Sequence, residues 1–492
     1  MSHHAAPRTH VLHLASEVAP FSKTGGLGDV ASALPAELAR LGVHNTVVTP
    51  RYQSISPSKH GLARRITPLS VPIGDGREPV TLYEGTLPGG VVRVTFIDHP
   101  VFDRPGLYGD ANGDYPDNAW RFALMCRAAL EYAAQRDVWP DVIHAHDWQA
   151  ALALLYARRG FHPGRPVPRT VLTIHNLAFQ GLAPKSVIDQ LGLGWDLFQP
   201  DGIEFYDQVS LLKAGIVFAD RVTTVSPRYA REIQHPSHGA GLDGFLRARA
   251  GKVMGILNGI DTLAWNPETD AAIAAHYDAI DRTGKARCKV ALQRELGLTV
   301  RAQVPVIGWI SRMTEQKGID LVTKSAEDLS RLDAQLVFLG QGEPRYQAAV
   351  QELARRFPGK VAYRAGHDEG LSHRIQAGSD LMLVPSHFEP CGLNQLYAFR
   401  YGTIPVVRAT GGLDDTVVDY DEKTKTGTGF KFIDYTPAAM IACLRRAVAT
   451  YRHNAQWNEL VGRVMGLDFG WPASARRYIE LYDELVPKRA AA

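Results

Sequence analysis

Short apolar runs alternate with segments of helical period along most of the chain. The first run, Val11-Leu12-His13-Leu14-Ala15, is short enough for a buried strand. A Gly-rich turn over 23–28 leads into a helix pattern over 29–40, and 45–49 predicts the next strand. Gly and Pro are dense over 52–116, which predicts a β-rich or loop insertion with no clear period. A helix over 120–135, a strand over 141–146, a helix over 150–159 and a strand over 170–175 follow. The second half restarts the pattern. It predicts strands over 304–310, 335–339, 361–364, 381–384 and 404–407, and helices over 319–332, 346–356 and 371–378. A further helix starts near Leu393 or Asn394 and stops at Gly402. Such alternation predicts parallel sheets with helices on both faces, an α/β chain of two doubly wound, Rossmann-like domains. The expected limits are 1–255 and 256–465, with the join near Asn258-Gly259, a turn dipeptide. A terminal segment, 466–492, carries a helix over 473–485 and is expected to pack back on the first domain.

A chain of 492 residues is too long for one core, in keeping with two domains. Its net charge of +3 is close to neutral for the length and gives no reason to propose nucleic acid or an anionic membrane as partner. The four cysteines, Cys126, Cys288, Cys391 and Cys443, have no paired spacing, which argues against a disulfide framework or a zinc site and suits a reducing cytoplasm. The first ten residues lack an apolar region of signal-peptide type, and no apolar run approaches a membrane span. A cytoplasmic location is therefore expected.

Candidate chemistry gathers in the turns that follow strands, where open α/β sheets bind ligands. Glu389 lies in the turn after the strand over 381–384, with Cys391, Gly392 and Leu393 leading into a helix start. Gly392 permits close approach to the backbone, and free N–H groups at a helix start favour an anion. A tight turn with a surface glutamate is the alternative on these residues alone. Arg312 and Lys317 follow the strand over 304–310, and two cations there suit a diphosphate, or else a solvated loop closing on Glu315. The turn Lys23-Thr24-Gly25-Gly26 offers N–H groups and one cation. Gly26-Leu27-Gly28-Asp29-Val30-Ala31 fits G-x-G-x-x-A, but a dinucleotide site fails. About ten residues separate strand from glycine, and the second strand ends in Thr49-Pro50-Arg51 rather than an acid. His144 and His146 share a strand face beside Asp147 without completing a ligand set. Asp419-Tyr420-Asp421 lies in a charged loop and reads as a solvated turn. His175 closes a strand of the first sheet, a structural residue or a cleft residue.

Taken together, these motifs resemble the bacterial glycogen synthase family, of the starch synthase type, over about residues 11–485. They are Lys23-Thr24-Gly25-Gly26-Leu27, His144-Ala145-His146-Asp147-Trp148, His175-Asn176-Leu177, Leu257-Asn258-Gly259-Ile260-Asp261, Ser311-Arg312 with Lys317-Gly318, Glu389-Pro390-Cys391-Gly392-Leu393, and Thr410-Gly411-Gly412-Leu413. The resemblance implies a GT-B fold, two Rossmann-like domains facing across a cleft. It also implies retaining transfer of glucose from ADP-glucose to an α-1,4-glucan, with neither a metal nor another cofactor. It implies Glu389 as catalytic carboxylate and His175 beside the transferred glucose. Arg312 and Lys317 would neutralise the diphosphate. Lys23, Gly25, Gly26, Asn258, Cys391, Gly392 and Leu393 fall on the donor site, and Asp29 and Asp147 on the acceptor side or cleft. The chain departs from the family's usual pattern at Gly28, where Ala is common, and at Asn394, where Thr is common; neither change removes a charge. Readings left beside this one are a UDP-glucose-dependent or sucrose- or trehalose-type transferase, and an inactive glucan-binding homologue.

Overall fold

The computed structural model describes residues 9–110, 112–136, 139–160, 162 and 164–486. The chain divides into two compact units. The first runs to Val225, resumes over Ala230–Gly259, and takes in the C-terminal helix from Trp471; the second comprises Ser226–Tyr229 and Ile260–Gly470.

In the first unit, seven strands lie parallel in the order Val253–Gly255, Arg221–Thr224, Arg169–Ile174, Val142–His146, His10–Leu14, His44–Pro50, Arg93–Asp98. The inner ones are buried along nearly their whole length, as a sheet covered on both faces requires. The Gly- and Pro-rich stretch after Tyr52 supplies antiparallel strands on the far edge. Gly76–Thr86 pairs with Arg93–Asp98 and carries Leu69–Ile73 and Ala63–Arg64. The chain goes from His10–Leu14 to a neighbour on one side, then returns to Val142–His146 on the other. The switch point lies between those two strands, which directs a ligand to the loops after Leu14 and after His146.

The C-terminal helix, Trp471–Leu485, buries Trp471, Ala475, Tyr478, Tyr482 and Leu485, one stripe at helical spacing. That stripe packs on Val11, Val30, Leu34, Val142 and Ile256 of the first unit.

The second unit holds six parallel strands, Val361–Arg364, Gln335–Leu339, Val306–Ile310, Leu381–Val384, Ile404–Arg408 and Phe430–Phe432 in spatial order. Its switch point falls between Val306–Ile310 and Leu381–Val384. The single helix expected over 319–332 is two, Ile319–Lys324 and Ala326–Arg331. At Ser325 the backbone opens, and its N–H is shared between the Leu321 and Val322 carbonyls. The helix expected over 150–159 begins earlier, as Asp147–Arg158. The four cysteines are buried, and no disulfide joins them. Among the described residues, no helix is long and apolar enough to cross a membrane.

Candidate active site

The two loops at the second unit's switch point meet. After Val306–Ile310 the chain passes Arg312 and makes a single 3-10 turn, Glu315–Lys317. Gly318 then adopts φ 73°, and a Cβ there would lie 2.1 Å from the Pro385 carbonyl oxygen. Only glycine lets the lysine loop seat this closely on the turn after Leu381–Val384. The contact delivers Lys317 to Glu389: its Nζ donates to Oε1 at 2.9 Å and to Oε2 at 2.7 Å. Ser386 Oγ donates to the same carboxylate at 2.9 Å. Glu389 is 6% exposed, so this is a largely desolvated ion pair rather than a surface one. The surface-glutamate alternative is thereby excluded.

The turn bearing Glu389 is braced from behind. Gly412 N donates to the Glu389 carbonyl at 3.1 Å. Gly411 has φ 44°, and a Cβ on it would approach that carbonyl oxygen to 1.9 Å. The Thr410-Gly411-Gly412-Leu413 motif is therefore a backbone-to-backbone brace. Trp309, Ser311, Lys317, Glu389, Gly392 and Leu393 are among the residues lining one small cavity at this point. The helix that follows, Asn394–Arg400, is short, so the N–H groups themselves matter more here than its dipole. Asn394 Nδ2 donates to the Ile310 carbonyl at 2.6 Å and ties this helix start to the neighbouring strand end. Cys391 is buried, and its carbonyl accepts from Gln395 Nε2 at 3.2 Å. Arg312 is exposed, with no partner for its guanidinium among the described residues.

In the first unit the structure corrects one expectation. The N–H groups of Thr24 and Gly25 are not open to a ligand. Both donate to the buried carboxylate of Glu17, which also takes the Thr24 hydroxyl at 2.6 Å and the Tyr108 hydroxyl at 2.6 Å. An acid three residues beyond the strand holds the loop closed. The N–H groups left at this end are those of the first helical turn, from Gly26. Lys23 pairs with Asp29 at 2.8 Å, and both side chains remain partly exposed. Asn258 is 5% exposed, and its Oδ1 is buried without a hydrogen-bond partner among the described residues.

At the neighbouring strand ends, Asp147 takes φ 56°, a left-handed conformation that Asp tolerates better than most residues. The strained turn aims its carboxylate at the next strand, where Oδ1 accepts from His175 N at 2.7 Å. Burial raises the Asp147 pKa to about 7 against the opposing pull of the His175 and Asn176 N–H groups. His175 sits at the partly exposed end of a row of rings. Its Nε2 is 3.0 Å from His146 Nδ1. Burial lowers its pKa to about 3, so it is neutral.

A ring nitrogen of each of His13, His144 and His146 lies within 4.8 Å of the others. The set does not fit a metal. His144 has both nitrogens engaged, with Tyr482 Oη at 2.7 Å and Thr173 Oγ1 at 2.6 Å. Its ring stacks on His146 at 4.4 Å instead of converging with it on a point. Nor does the aspartate pair at 419 and 421 form a site. Asp419 accepts from Lys431 N at 2.7 Å and pairs with Arg446, while Asp421 caps the N–H groups of Lys423 and Thr424.

The site residues that sequence reasoning missed are Glu17, Ser386 and His146 as a partner of His175. Glu17 carried a signal, since an acid just past a buried strand and before a Gly-rich turn has N–H groups within reach. Ser386 carried none.

Residues 10–248 match the family described as starch synthase catalytic domain, and residues 298–460 match glycosyl transferases group 1. A glycogen synthase of Anaeromyxobacter dehalogenans (strain 2CP-1) is 51% identical over 97% of this chain and 100% of its own length. The solved catalytic domain of starch synthase IV from Arabidopsis thaliana, bound to ADP and acarbose, is 37% identical with a TM-score of 0.89, covering 97% of this chain and 99% of that one. A sucrose-phosphate synthase from Thermosynechococcus elongatus, at 18% identity and a TM-score of 0.62 over 97% of this chain and 99% of that one, shares the fold. With two doubly wound units and a lysine–glutamate pair at a switch point, these likenesses place the chain in the glycogen synthase family of GT-B glycosyltransferases.

Proposed function

We infer that the chain transfers glucose from ADP-glucose to the non-reducing end of an α-1,4-glucan, with retention, and that it does so in the cytoplasm. The observation that carries this reading is Lys317 seated on both oxygens of Glu389 beside a sheet's switch point. Before the donor binds, cation and carboxylate neutralise each other. An incoming diphosphate competes for Lys317 and is joined by Arg312 and the N–H groups of Gly392 and Leu393. As Lys317 turns to phosphate, the Glu389 carboxylate is released toward the sugar. Its charge then acts where the anomeric carbon becomes positive. Ser386 keeps the carboxylate in place through the exchange. In the first unit, His175 is assigned to the hydroxyls of the transferred glucose, Asp147 to holding the His175 backbone, and Lys23, Gly26 and Asn258 to the donor. Asp29 is assigned to the acceptor side.

Arg312→Ala is the cleaner test of the diphosphate assignment, because the Arg312 guanidinium has no partner to lose among the described residues. Removing one charge-assisted contact of roughly 1.5–3 kcal/mol should weaken ADP binding at least tenfold by calorimetry. Lys317→Ala should weaken it as well and cut turnover further, since it also strands Glu389. Unchanged ADP affinity in both variants would end the assignment.

A further inference from the structure

His13, His144, His146 and His175 form a row of rings in the first unit, the first three fully buried. The protons in this row can be placed. Asn45 Nδ2 donates to the carbonyls of Pro35 and Val43 at 3.2 and 3.0 Å, so its Oδ1 is what faces His13 Nε2 at 3.1 Å. His13 therefore carries its proton on Nε2 and leaves Nδ1 as a bare lone pair, which has no partner among the described residues.

His146 poses the same question with a consequence for the site. Its Nδ1 lies 3.0 Å from His175 Nε2, so one proton occupies that bond, from one side or the other. Its Nε2 is buried with no partner among the described residues. If His175 were the donor, the proton of a neutral His146 would sit on that Nε2 as an orphaned buried N–H. Buried N–H groups left orphaned are rarer in folded proteins than under-satisfied acceptors. A doubly protonated His146 is opposed by burial and by the neighbouring rings, which lower its pKa well below the ordinary value.

We propose that His146 donates its Nδ1–H to Nε2 of His175 and so fixes His175 in the tautomer that carries its proton on Nδ1. Neutral imidazole in water prefers the opposite tautomer, so the protein imposes this one. His146 is a positioning residue, and it acts through His175. What the fixed proton does rests on the proposed function. It makes His175 Nδ1–H a ready donor to an oxygen of the transferred sugar, with no proton rearrangement on binding.

The test uses the full chain labelled with ¹⁵N-histidine and read by long-range ¹H–¹⁵N correlation, with the His175 signals identified by their loss in His175→Gln. The expected wild-type pattern is a protonated Nδ1 and a bare Nε2. His146→Phe, which keeps a ring but no donor, should move His175 toward the Nε2–H tautomer and lower kcat about tenfold with little change in KM for ADP-glucose. His146→Asn, whose amide can donate in place of Nδ1, should restore both. A wild-type His175 protonated on Nε2 overturns the proposal, and that reading stands even if His146→Phe fails to fold. A tautomer unmoved by His146→Phe overturns it too. If the tautomer is as expected but His175→Gln turns over normally, the tautomer assignment holds and the role given to His175 in transfer falls.

Discussion

Glu389→Gln is expected to lower kcat by on the order of 10²–10³-fold while ADP-glucose binding holds or tightens. A carboxylate beside a phosphate site is unfavourable unless a positive group stands between them, and in the unliganded protein that group is Lys317. The amide keeps the shape and can still accept from Lys317 and Ser386. It no longer competes with the diphosphate for the lysine, so donor binding gains or is unchanged. What is lost is negative charge at the moment the anomeric carbon becomes positive. A purely structural Glu389 predicts weaker donor binding with kcat roughly kept. The melting temperature does not separate the two readings, because removing one charge of a largely buried pair lowers stability in either case. Steady-state kinetics and donor titration on one preparation do. A near-normal kcat would end the catalytic role of Glu389.

The second large effect is acid lability of the first unit. Burial, reinforced by neighbouring rings, lowers the pKa of His10 and His13 to about 4, and that of His144 and His146 well below the ordinary value. The native state therefore refuses protons that the unfolded chain takes up near pH 6.5. The stability these groups contribute is fully present above pH 6.5 and is lost as pH falls toward 4. For His13, fully buried, the shift from 6.5 to about 4 is worth about 3 kcal/mol, since each unit is about 1.4 kcal/mol. Asp147 works the other way: its pKa is raised to about 7, so it favours the native state as pH falls from 7 toward 4. One carboxylate does not offset four rings. The thermal midpoint should drop steeply between pH 7 and pH 4.5, and His13→Gln, which can still donate to Asn45, should flatten the curve. A midpoint independent of pH over this range would contradict the neutral, buried row.

The strand ends that build both switch points were legible, because fully buried parallel strands leave continuous apolar runs such as Leu381–Val384 with turn residues directly behind them. Glu389, Lys317 and His175 were found as strand-end residues, and the motif resemblance gave them roles. Their partners were not legible. Lys317 and Glu389 are 72 positions apart, and only the Gly318 contact with Pro385 brings them together. The row of histidines depends on the register that sets His13 beside His144, which no local pattern encodes. The composition of the turn at Thr24 and Gly25 says which N–H groups it can offer, not that Glu17 has already taken them. The break at Ser325 lies inside an unbroken helical period, so periodicity alone joined the two helices.

The most direct measurement of the central claim is nucleotide release by the purified chain from ADP-glucose and, separately, from UDP-glucose, each with and without glycogen. The account predicts ADP release that requires glycogen, with glucose appearing on the glucan in equal amount, slower release from UDP-glucose, and loss of that release in Glu389→Gln. No glycogen-dependent release from ADP-glucose, or a clear preference for UDP-glucose, would contradict it.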